Sequence, residues 1–300
     1  MPISGISQGL GLGGGAAATI GGALSGGSLD PDAASYFGVL EGTSGWSEPT
    51  DYADKQAAIS DYFIALKAAG NWADLACLYF PIWQAPLTNA INAKQPGTYN
   101  ITWENTVYHT GGDYVYGDGV SSGGCGIVDF WGPSSSSSPR VFGLKDFCWG
   151  GNVLDRNASV SSGLCGWYFE GAIRPYGGSG TYFYVFKPVT SNSTGAATEG
   201  LYVAQSDSTS SSATAGMLYR DGTLMEFPAG SGTTLIESTT SGPNASGCQW
   251  CLLAQNYWIP APYGRTYQNS KYHVNLLFAG TQLSSASDFN TDTATFLAAI

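Results

Sequence analysis

Short runs of apolar and aromatic residues, separated by glycine, serine, asparagine and proline, dominate the chain from about residue 97 onward. Roughly ten such runs follow one another at fairly regular spacing, with no helical period between them. Runs of this length between turn residues are typical of antiparallel strands. The pattern therefore predicts a mainly β fold, an antiparallel jelly-roll sandwich. The runs include TYNITWENTVYH, DYVYG, GIVDFWG, SGLCGWYFEGAI, TYFYVF, GLYVAQSD, GMLYRDGTLMEF, CQWCLLAQNYWI and KYHVNLLFAG.

The strongest turn signal among these runs is the dipeptide Asp221-Gly222, which has apolar and aromatic residues on both sides. A two-residue type I′ turn needs positive φ at both central residues, and Asp-Gly meets that requirement well. The sequence therefore predicts a β-hairpin closed at Asp221-Gly222. We expect this hairpin to be scaffold rather than a binding site.

The part of the chain ahead of the strands has a helical pattern instead. Asp30 is suited to cap a helix and Pro31 to occupy its first position, and Gly42 is suited to follow its end. Apolar residues at three- and four-residue spacing predict a second helix over about residues 51–69. A third short helix is predicted over about residues 71–80. So few residues cannot bury a core alone, so we expect them to pack on the β domain.

These patterns divide the chain into three predicted parts. Residues 1–29 form a Gly/Ala-rich arm, residues 30–95 a small helical collar, and residues 96–300 the jelly roll. Thr291 is predicted to cap a short helix at the end of the jelly roll. The glycines of the arm exclude a transmembrane helix, and the arm lacks the basic start of a secretory signal. We expect no membrane insertion and a docking role for the arm.

Composition narrows the classes of partner. Charged residues make up 11% of the chain and the net charge is −11, whereas 42 of the 300 residues are glycine. The 11 basic residues are spread thinly, so no basic patch indicates nucleic-acid binding, and anionic membrane surfaces are also disfavoured. A surface with few charges and many aromatic and small polar residues suits contacts with other subunits or with uncharged ligands.

Several segments, taken together, resemble a group of bacteriophage virion proteins, the tail-fibre-like or minor tail proteins with a concanavalin A-like (LamG-type) jelly roll. The segments are GLGLGGG, LDPDAASYF, IALKAAGNWADL, LYRDGTLME and HVNLLFAGTQLSSASDFNTDTATFLAAI. Leu218, Tyr219, Asp221 and Gly222 match the hairpin that recurs in such domains. A second set matches their late strand and C-terminal segment: Leu277, Gly280, Leu283, Ser284 and Phe296.

The resemblance implies a structural protein on the surface of a phage particle, tail-associated or fibre-like. In that setting we expect residues 1–30 to dock onto other virion proteins, and we expect the chain to form a homo-oligomer and to contact host surface glycans. The six cysteines and the aromatic-rich segment 99–131 depart from the pattern. Two alternatives stay open: a capsid-decorating or head-fibre protein without a ligand, and a hydrolase of envelope polysaccharide.

Aromatic strands supply the predicted glycan contacts, because ring faces beside uncharged polar groups are how lectin surfaces hold neutral sugars. The competing interpretation is that these rings fill the core or a subunit interface. The predicted contact residues are Trp131, Trp167, Tyr168, Tyr182 and Tyr184.

No metal or organic cofactor is expected, apart from the Ca²⁺ that LamG-type folds often hold through a loop aspartate and backbone carbonyls. By that resemblance, Asp118 and Asp207 are the candidate ligands. Zinc is disfavoured because the chain has only two histidines and no second CxxC beside CQWC.

Six cysteines allow up to three disulfides, and their pairing is open. We expect at least one bridge, with Cys125, Cys148 and Cys165 as members, because particles outside cells retain disulfides. The alternative is that they are buried free thiols.

Catalytic signatures are absent from the sequence. The E-x-D-x-E run that places carboxylates on one face in β-glucanase-like jelly rolls does not occur, and neither does a G-x-S-x-G nucleophile motif. We therefore expect that the protein is not an enzyme.

Overall fold

The computed structural model describes residues 28–104, 107–110, 113–117, 124–128, 147–156, 164–167, 171–174, 182–185, 199–206, 216–225, 250–258, 265–269 and 272–300. Five helices lie in these ranges: α1 Pro31–Glu41, α2 Tyr52–Ala68, α3 Asn71–Asp74, α4 Pro86–Asn89 and α5 Ala286–Leu297. The strands of the same ranges are β1 Leu75–Tyr79, β2 Thr102–Glu104, β3 Val107–His109, β4 Val115–Gly117, β5 Cys125–Val128, β6 Cys148–Arg156, β7 Cys165–Trp167, β8 Gly171–Arg174, β9 Tyr182–Val185, β10 Gly200–Ser206, β11 Gly216–Arg220, β12 Thr223–Leu224, β13 Trp250–Leu252, β14 Ala254–Trp258, β15 Arg265–Asn269 and β16 Tyr272–Gly280.

These strands form two main sheets. The eight-stranded sheet has the order β12-β11-β10-β6-β16-β4-β3, with β1 also paired to β16. The six-stranded sheet has the order β2-β5-β13-β7-β8-β9, and β14 and β15 pair separately. Every pairing among the described strands is antiparallel. The predicted mainly β, jelly-roll-like sandwich is confirmed.

The eight-stranded sheet is the middle of three layers. On one face, Trp149 and Leu277 pack with Ile173 and Trp250 of the six-stranded sheet in a single buried cluster. On the other face lies a second cluster, in which strand residues such as Phe278 pack against the helices. We call these the inter-sheet cluster and the helix-side cluster. Residues on both sides of the predicted boundary at 95/96 contribute to both clusters, so the helices form one layer of a common fold.

Helix α1 begins as its sequence predicts. The Asp30 carboxylate accepts hydrogen bonds from the backbone N–H groups of Asp32 and Ala33, at 3.0 and 3.4 Å. Lys67 of α2 donates to both carboxylate oxygens of Asp30, at 2.6 and 2.7 Å. Asp30 therefore both caps α1 and joins it to α2. Helix α5 begins earlier than predicted, because Ser285 and not Thr291 caps it.

The predicted third helix is wrong beyond Asp74, where the chain turns into strand β1. Antiparallel pairing with β16 supplies β1 with backbone partners that an isolated segment lacks. On the other side of β1, the Asn92 side chain makes the hydrogen bonds that a neighbouring strand would make. It accepts a hydrogen bond from the Leu78 N–H at 3.0 Å and donates one to the Ala76 carbonyl at 3.2 Å. Asn92 is fully buried. One amide side chain therefore satisfies backbone groups of β1 on the side away from the sheet.

The predicted hairpin is present. Asp221 and Gly222 have φ of 49° and 75°, and Tyr219 lies opposite Leu224, as a two-residue turn requires. The Asp221 carboxylate also accepts a hydrogen bond from the Leu201 N–H at 2.8 Å, and the Asp221 N–H donates to the Leu201 carbonyl at 2.9 Å. The turn is thereby attached to the start of β10.

The disulfide expected among Cys125, Cys148 and Cys165 is not present, since all three are buried cysteines outside any disulfide. The physical reason is their placement in different layers. Cys148 belongs to the helix-side cluster and Cys165 to the inter-sheet cluster, so the eight-stranded sheet separates their side chains. Cys125 lies in β5 of the six-stranded sheet, and burial raises the pKa of its thiol to about 12.

None of the helices in the described ranges has the length and apolar character needed to span a membrane.

Candidate functional site

An aromatic surface forms where β3, β4 and the first residues of β16 meet. Tyr108 lies opposite Tyr116 in the β3–β4 pair, and Val115 lies opposite Val274 of β16. Val115 and Val274 point into the inter-sheet cluster. Because side chains alternate along a strand, Tyr116 and its partner Tyr108 lie on the other face of the sheet.

Four rings make up this surface, which we call the tyrosine patch: Tyr108, Tyr114, Tyr116 and His273. The rings of Tyr108 and Tyr116 are stacked with centroids 4.8 Å apart and planes 16° apart. Those of Tyr114 and His273 are stacked at 4.1 Å and 9°. The Tyr116 ring joins the two pairs, with its centroid 5.0 Å from that of His273. The contacts hold the rings in fixed orientations.

The helices pack on the same sheet face, but the tyrosines of the patch are not part of that packing. Leu276 and Phe278 of β16 are in the helix-side cluster, whereas Tyr108, Tyr114 and Tyr116 are neither in it nor among the partly buried apolar residues packed against it. Tyr108 is 44% exposed although it is a large aromatic residue. It lies on β3, which ends the described order of the eight-stranded sheet. One face of its ring stacks on Tyr116, and the exposure of Tyr108 leaves ring surface for a ligand.

The patch also offers polar groups at one side, where the His273 imidazole meets the Asp155 carboxylate. Asp155 of β6 lies opposite His273, and its Oδ2 is 3.8 Å from His273 Nδ1. Burial lowers the pKa of His273, and the negative charge of Asp155 partly offsets that effect. The imidazole is therefore largely neutral at pH 7, whereas the Asp155 side chain is 57% exposed. The carboxylate can accept hydrogen bonds from a ligand that lies on the rings.

The predicted contact residues lie elsewhere, in so far as they are described. Trp167 is in β7, and Tyr182 and Tyr184 are in β9, in the six-stranded sheet, where Tyr184 pairs with Ala172 of β8. Tyr168 and Trp131 lie outside the described residues. The structure therefore places β7 and β9 in one sheet, apart from the tyrosine patch on the other.

Both calcium candidates, Asp118 and Asp207, also lie outside the described residues. Within the ranges that are described, no group of three or more His, Cys, Asp or Glu side chains could hold a metal ion.

Sequence reasoning did not select any member of the patch. One signal was available: in DYVYG, Tyr114 and Tyr116 flank Val115, and this alternation places both tyrosines on the face opposite the valine. His273 gave no comparable signal, because its proximity to Tyr114 arises from pairing between strands far apart in the chain.

No family model and no curated protein matches the chain. Among solved structures, the chain is similar to a botulinum neurotoxin serotype D binding domain, with 7% identity and a TM-score of 0.40 over 75% of this chain and 52% of that one. The chain thus spans about half the length of that structure. It is also similar to domain 4 of AbnA, a GH43 extracellular arabinanase from Geobacillus stearothermophilus solved with arabinotriose. There the identity is 11% and the TM-score 0.34, over 72% of this chain and 97% of that one.

Likenesses at these TM-scores assign no function to this chain, and the fold stands on the strand pairing described above. The phage assignment stays a prediction.

Proposed function

We propose that the protein is a non-catalytic glycan-binding component, and that the tyrosine patch is its sugar-contact surface. The observation that carries this proposal is the stack of Tyr108 on Tyr116, with Tyr108 exposed on β3, the strand that ends the described order of the sheet. A ring held in place by another ring loses little side-chain freedom when a ligand binds, so more of the contact energy contributes to affinity.

A sugar suits this surface for two reasons. The C–H groups on one face of a pyranose pack against an aromatic ring, while its hydroxyl groups point outward toward polar partners. Tyr108 supplies the ring, and the exposed Asp155 carboxylate supplies a hydrogen-bond acceptor at the other side of the patch, next to His273, for a glycan that extends across the strands.

The test is glycan-array screening, followed by titration of a bound glycan against single variants. We expect Tyr108→Ala and Tyr116→Ala each to weaken binding by about tenfold or more, because each removes a stacked ring. The matched control is Leu224→Ala, which truncates a 48% exposed side chain on β12, at the other end of the same sheet. The control should bind like the parent.

The proposal would be contradicted if no glycan on the array bound the protein. It would also be contradicted if all three variants bound a glycan with the affinity of the parent. Release of reducing sugar from envelope polysaccharide would instead favour the hydrolase alternative.

We also propose that the protein performs this role on the surface of a phage particle, as a tail-associated or fibre-like oligomer. Support for the setting comes from the sequence resemblance, which implies that the N-terminal arm docks onto other virion proteins. The rival is a head-decorating protein without a ligand, and antibody labelling of intact particles distinguishes the two positions.

Deletion of residues 2–27 should prevent incorporation into particles and leave the melting temperature unchanged. The deletion ends there because Leu29 packs against the helix-side cluster and Asp30 caps α1. A deletion of residues 2–30 serves as the contrast, since it removes those contacts and should lower the melting temperature. Normal incorporation of the 2–27 deletion would overturn the docking role of the arm.

A further inference from the structure

Asn89, at the end of α4, fixes the position of an amide group near the β3 edge. Its Oδ1 accepts a hydrogen bond from the Trp83 N–H at 2.7 Å, and its Nδ2 donates to the Trp83 carbonyl at 2.6 Å. The residue is 1% exposed. Because these two bonds involve a backbone donor and a backbone acceptor, they assign the amide oxygen and nitrogen of Asn89 unambiguously.

The same amide nitrogen lies 2.9 Å from Nδ1 of His109. An amide nitrogen can only donate, so Nδ1 of His109 must accept, and the ring hydrogen of the neutral imidazole must lie on Nε2. Burial lowers the pKa of His109 to about 4, which keeps the ring neutral at pH 7. Asn89 therefore holds His109 in the Nε2–H tautomer.

Within the described residues, the Nε2–H group of His109 has no hydrogen-bond partner, and the His109 side chain is half-buried. The indole of Trp103 on β2 lies next to the imidazole, with ring centroids 5.3 Å apart and ring planes 80° apart. Trp103 is only partly buried, and its Nε1–H donates to the Pro86 carbonyl at 2.9 Å, which orients the ring. A hydrogen-bond donor and an apolar ring surface are thus held side by side.

We propose that Trp103 and His109 form a second sugar subsite, which takes the acetamido group of an N-acetylhexosamine. The Nε2–H of His109 donates to the acetamido carbonyl, and the acetamido methyl packs against the indole of Trp103. This subsite extends the proposed glycan function and rests on it, but it is separate from the tyrosine patch. His109 follows Tyr108 in β3 and lies opposite Val115, so the two side chains point to opposite faces of the sheet.

The experiment is nitrogen–proton NMR of the full chain, first without ligand. The imidazole nitrogens of His109 should have the chemical shifts of the Nε2–H tautomer. Triacetylchitotriose is then added, and cellotriose is added in a parallel titration. The two sugars differ only in that each ring of triacetylchitotriose carries an acetamido group where cellotriose has a hydroxyl. Chitotriose should shift the His109 Nε2–H and the Trp103 indole resonances, whereas cellotriose should leave both in place.

His109→Phe keeps an aromatic ring and removes the donor, so it should weaken chitotriose binding by about tenfold and change cellotriose binding by less than about twofold.

Tyr108→Ala should weaken the binding of both sugars if both reach the tyrosine patch. A Nδ1–H tautomer, unmoved His109 and Trp103 resonances at the highest chitotriose concentration, or equal effects of His109→Phe on both sugars would each overturn the subsite. These failures leave the tyrosine patch standing if Tyr108→Ala still reduces glycan binding. If the subsite resonances move but Tyr108→Ala has no effect, the patch is wrong and the subsite is supported.

Discussion

Replacing Gly150, in β6 of the eight-stranded sheet, by alanine should strongly destabilise the protein. A Cβ atom on Gly150 would lie 1.9 Å from the Tyr202 carbonyl oxygen and 2.7 Å from the Phe278 ring. Strand β6 is hydrogen-bonded on both sides, to β10 and to β16, so the Tyr202 backbone cannot move away without breaking the ladder. We expect a loss of about 3–5 kcal/mol in the free energy of unfolding, measured by urea titration.

The matched control adds the same methyl group where nothing opposes it. Gly38 lies inside helix α1, and a Cβ there would meet no atom within 4 Å. Gly38→Ala should therefore stabilise the protein by about 0.5–1 kcal/mol, because alanine has the higher helix propensity. If Gly150→Ala unfolds at the same urea concentration as the parent, the Tyr202 carbonyl of β10 does not approach Gly150 of β6 as closely as described.

Asn92→Ala should have the second large effect, because it leaves buried backbone groups of β1 without partners. Besides its bonds to Leu78 and Ala76, the Asn92 side chain accepts from the Lys94 N–H at 3.0 Å and donates to the Thr98 carbonyl at 2.9 Å. An unsatisfied buried polar group costs about 1–3 kcal/mol. Because two such groups are left on β1, we expect a loss of about 3–5 kcal/mol in the free energy of unfolding, measured by thermal or urea unfolding.

Asn290→Ala is the control for this change. Asn290 is also buried, but among the described contacts its side chain makes one hydrogen bond, from Nδ2 to the Ala286 carbonyl one turn earlier in α5. Truncation there should cost about 1 kcal/mol, the net value of one hydrogen bond. If Asn92→Ala and Asn290→Ala lose equal amounts of unfolding free energy, the Asn92 side chain does not satisfy the backbone groups of β1.

Local signals were enough where a few adjacent residues decide the conformation. Asp30-Pro31 predicted the start of α1 because both residues act within one helical turn. Asp221-Gly222 predicted a hairpin because positive φ is a property of the dipeptide itself. The mainly β class followed from the spacing of apolar runs, which samples the whole chain.

Strands β6 and β1 could not be predicted in this way. The run CWGGNVLDR contains Gly150-Gly151, which in isolation favours a turn. In the fold, tertiary packing requires both glycines. The Tyr202 carbonyl occupies the space that a side chain on Gly150 would need, and the Leu276 carbonyl occupies the space that a side chain on Gly151 would need. The apolar residues of β1 fit a helical spacing equally well, and only pairing with β16 settles the choice.

The candidate site shows the same division. The alternation of Tyr114 and Tyr116 is a local pattern and defines one face of β4. The contribution of His273 and Asp155 is not local, because each comes from another strand of the sheet. The tautomer of His109 depends on a hydrogen bond from Asn89, twenty residues earlier, which no spacing rule connects with it.

Pairing between segments far apart in sequence has a consequence for biosynthesis. Strand β1 finds its partner in β16, and the Tyr62 hydroxyl bonds to Thr293 across 231 residues. Helices α1 and α2 are translated before the strand and helix that cover their apolar faces, with more than 200 residues between them. A nascent chain therefore exposes these faces until β16 and α5 have been made, and such long-range closure makes folding slow and dependent on protection from aggregation. A ribosome that stalls before β16 would release a chain that cannot close its core.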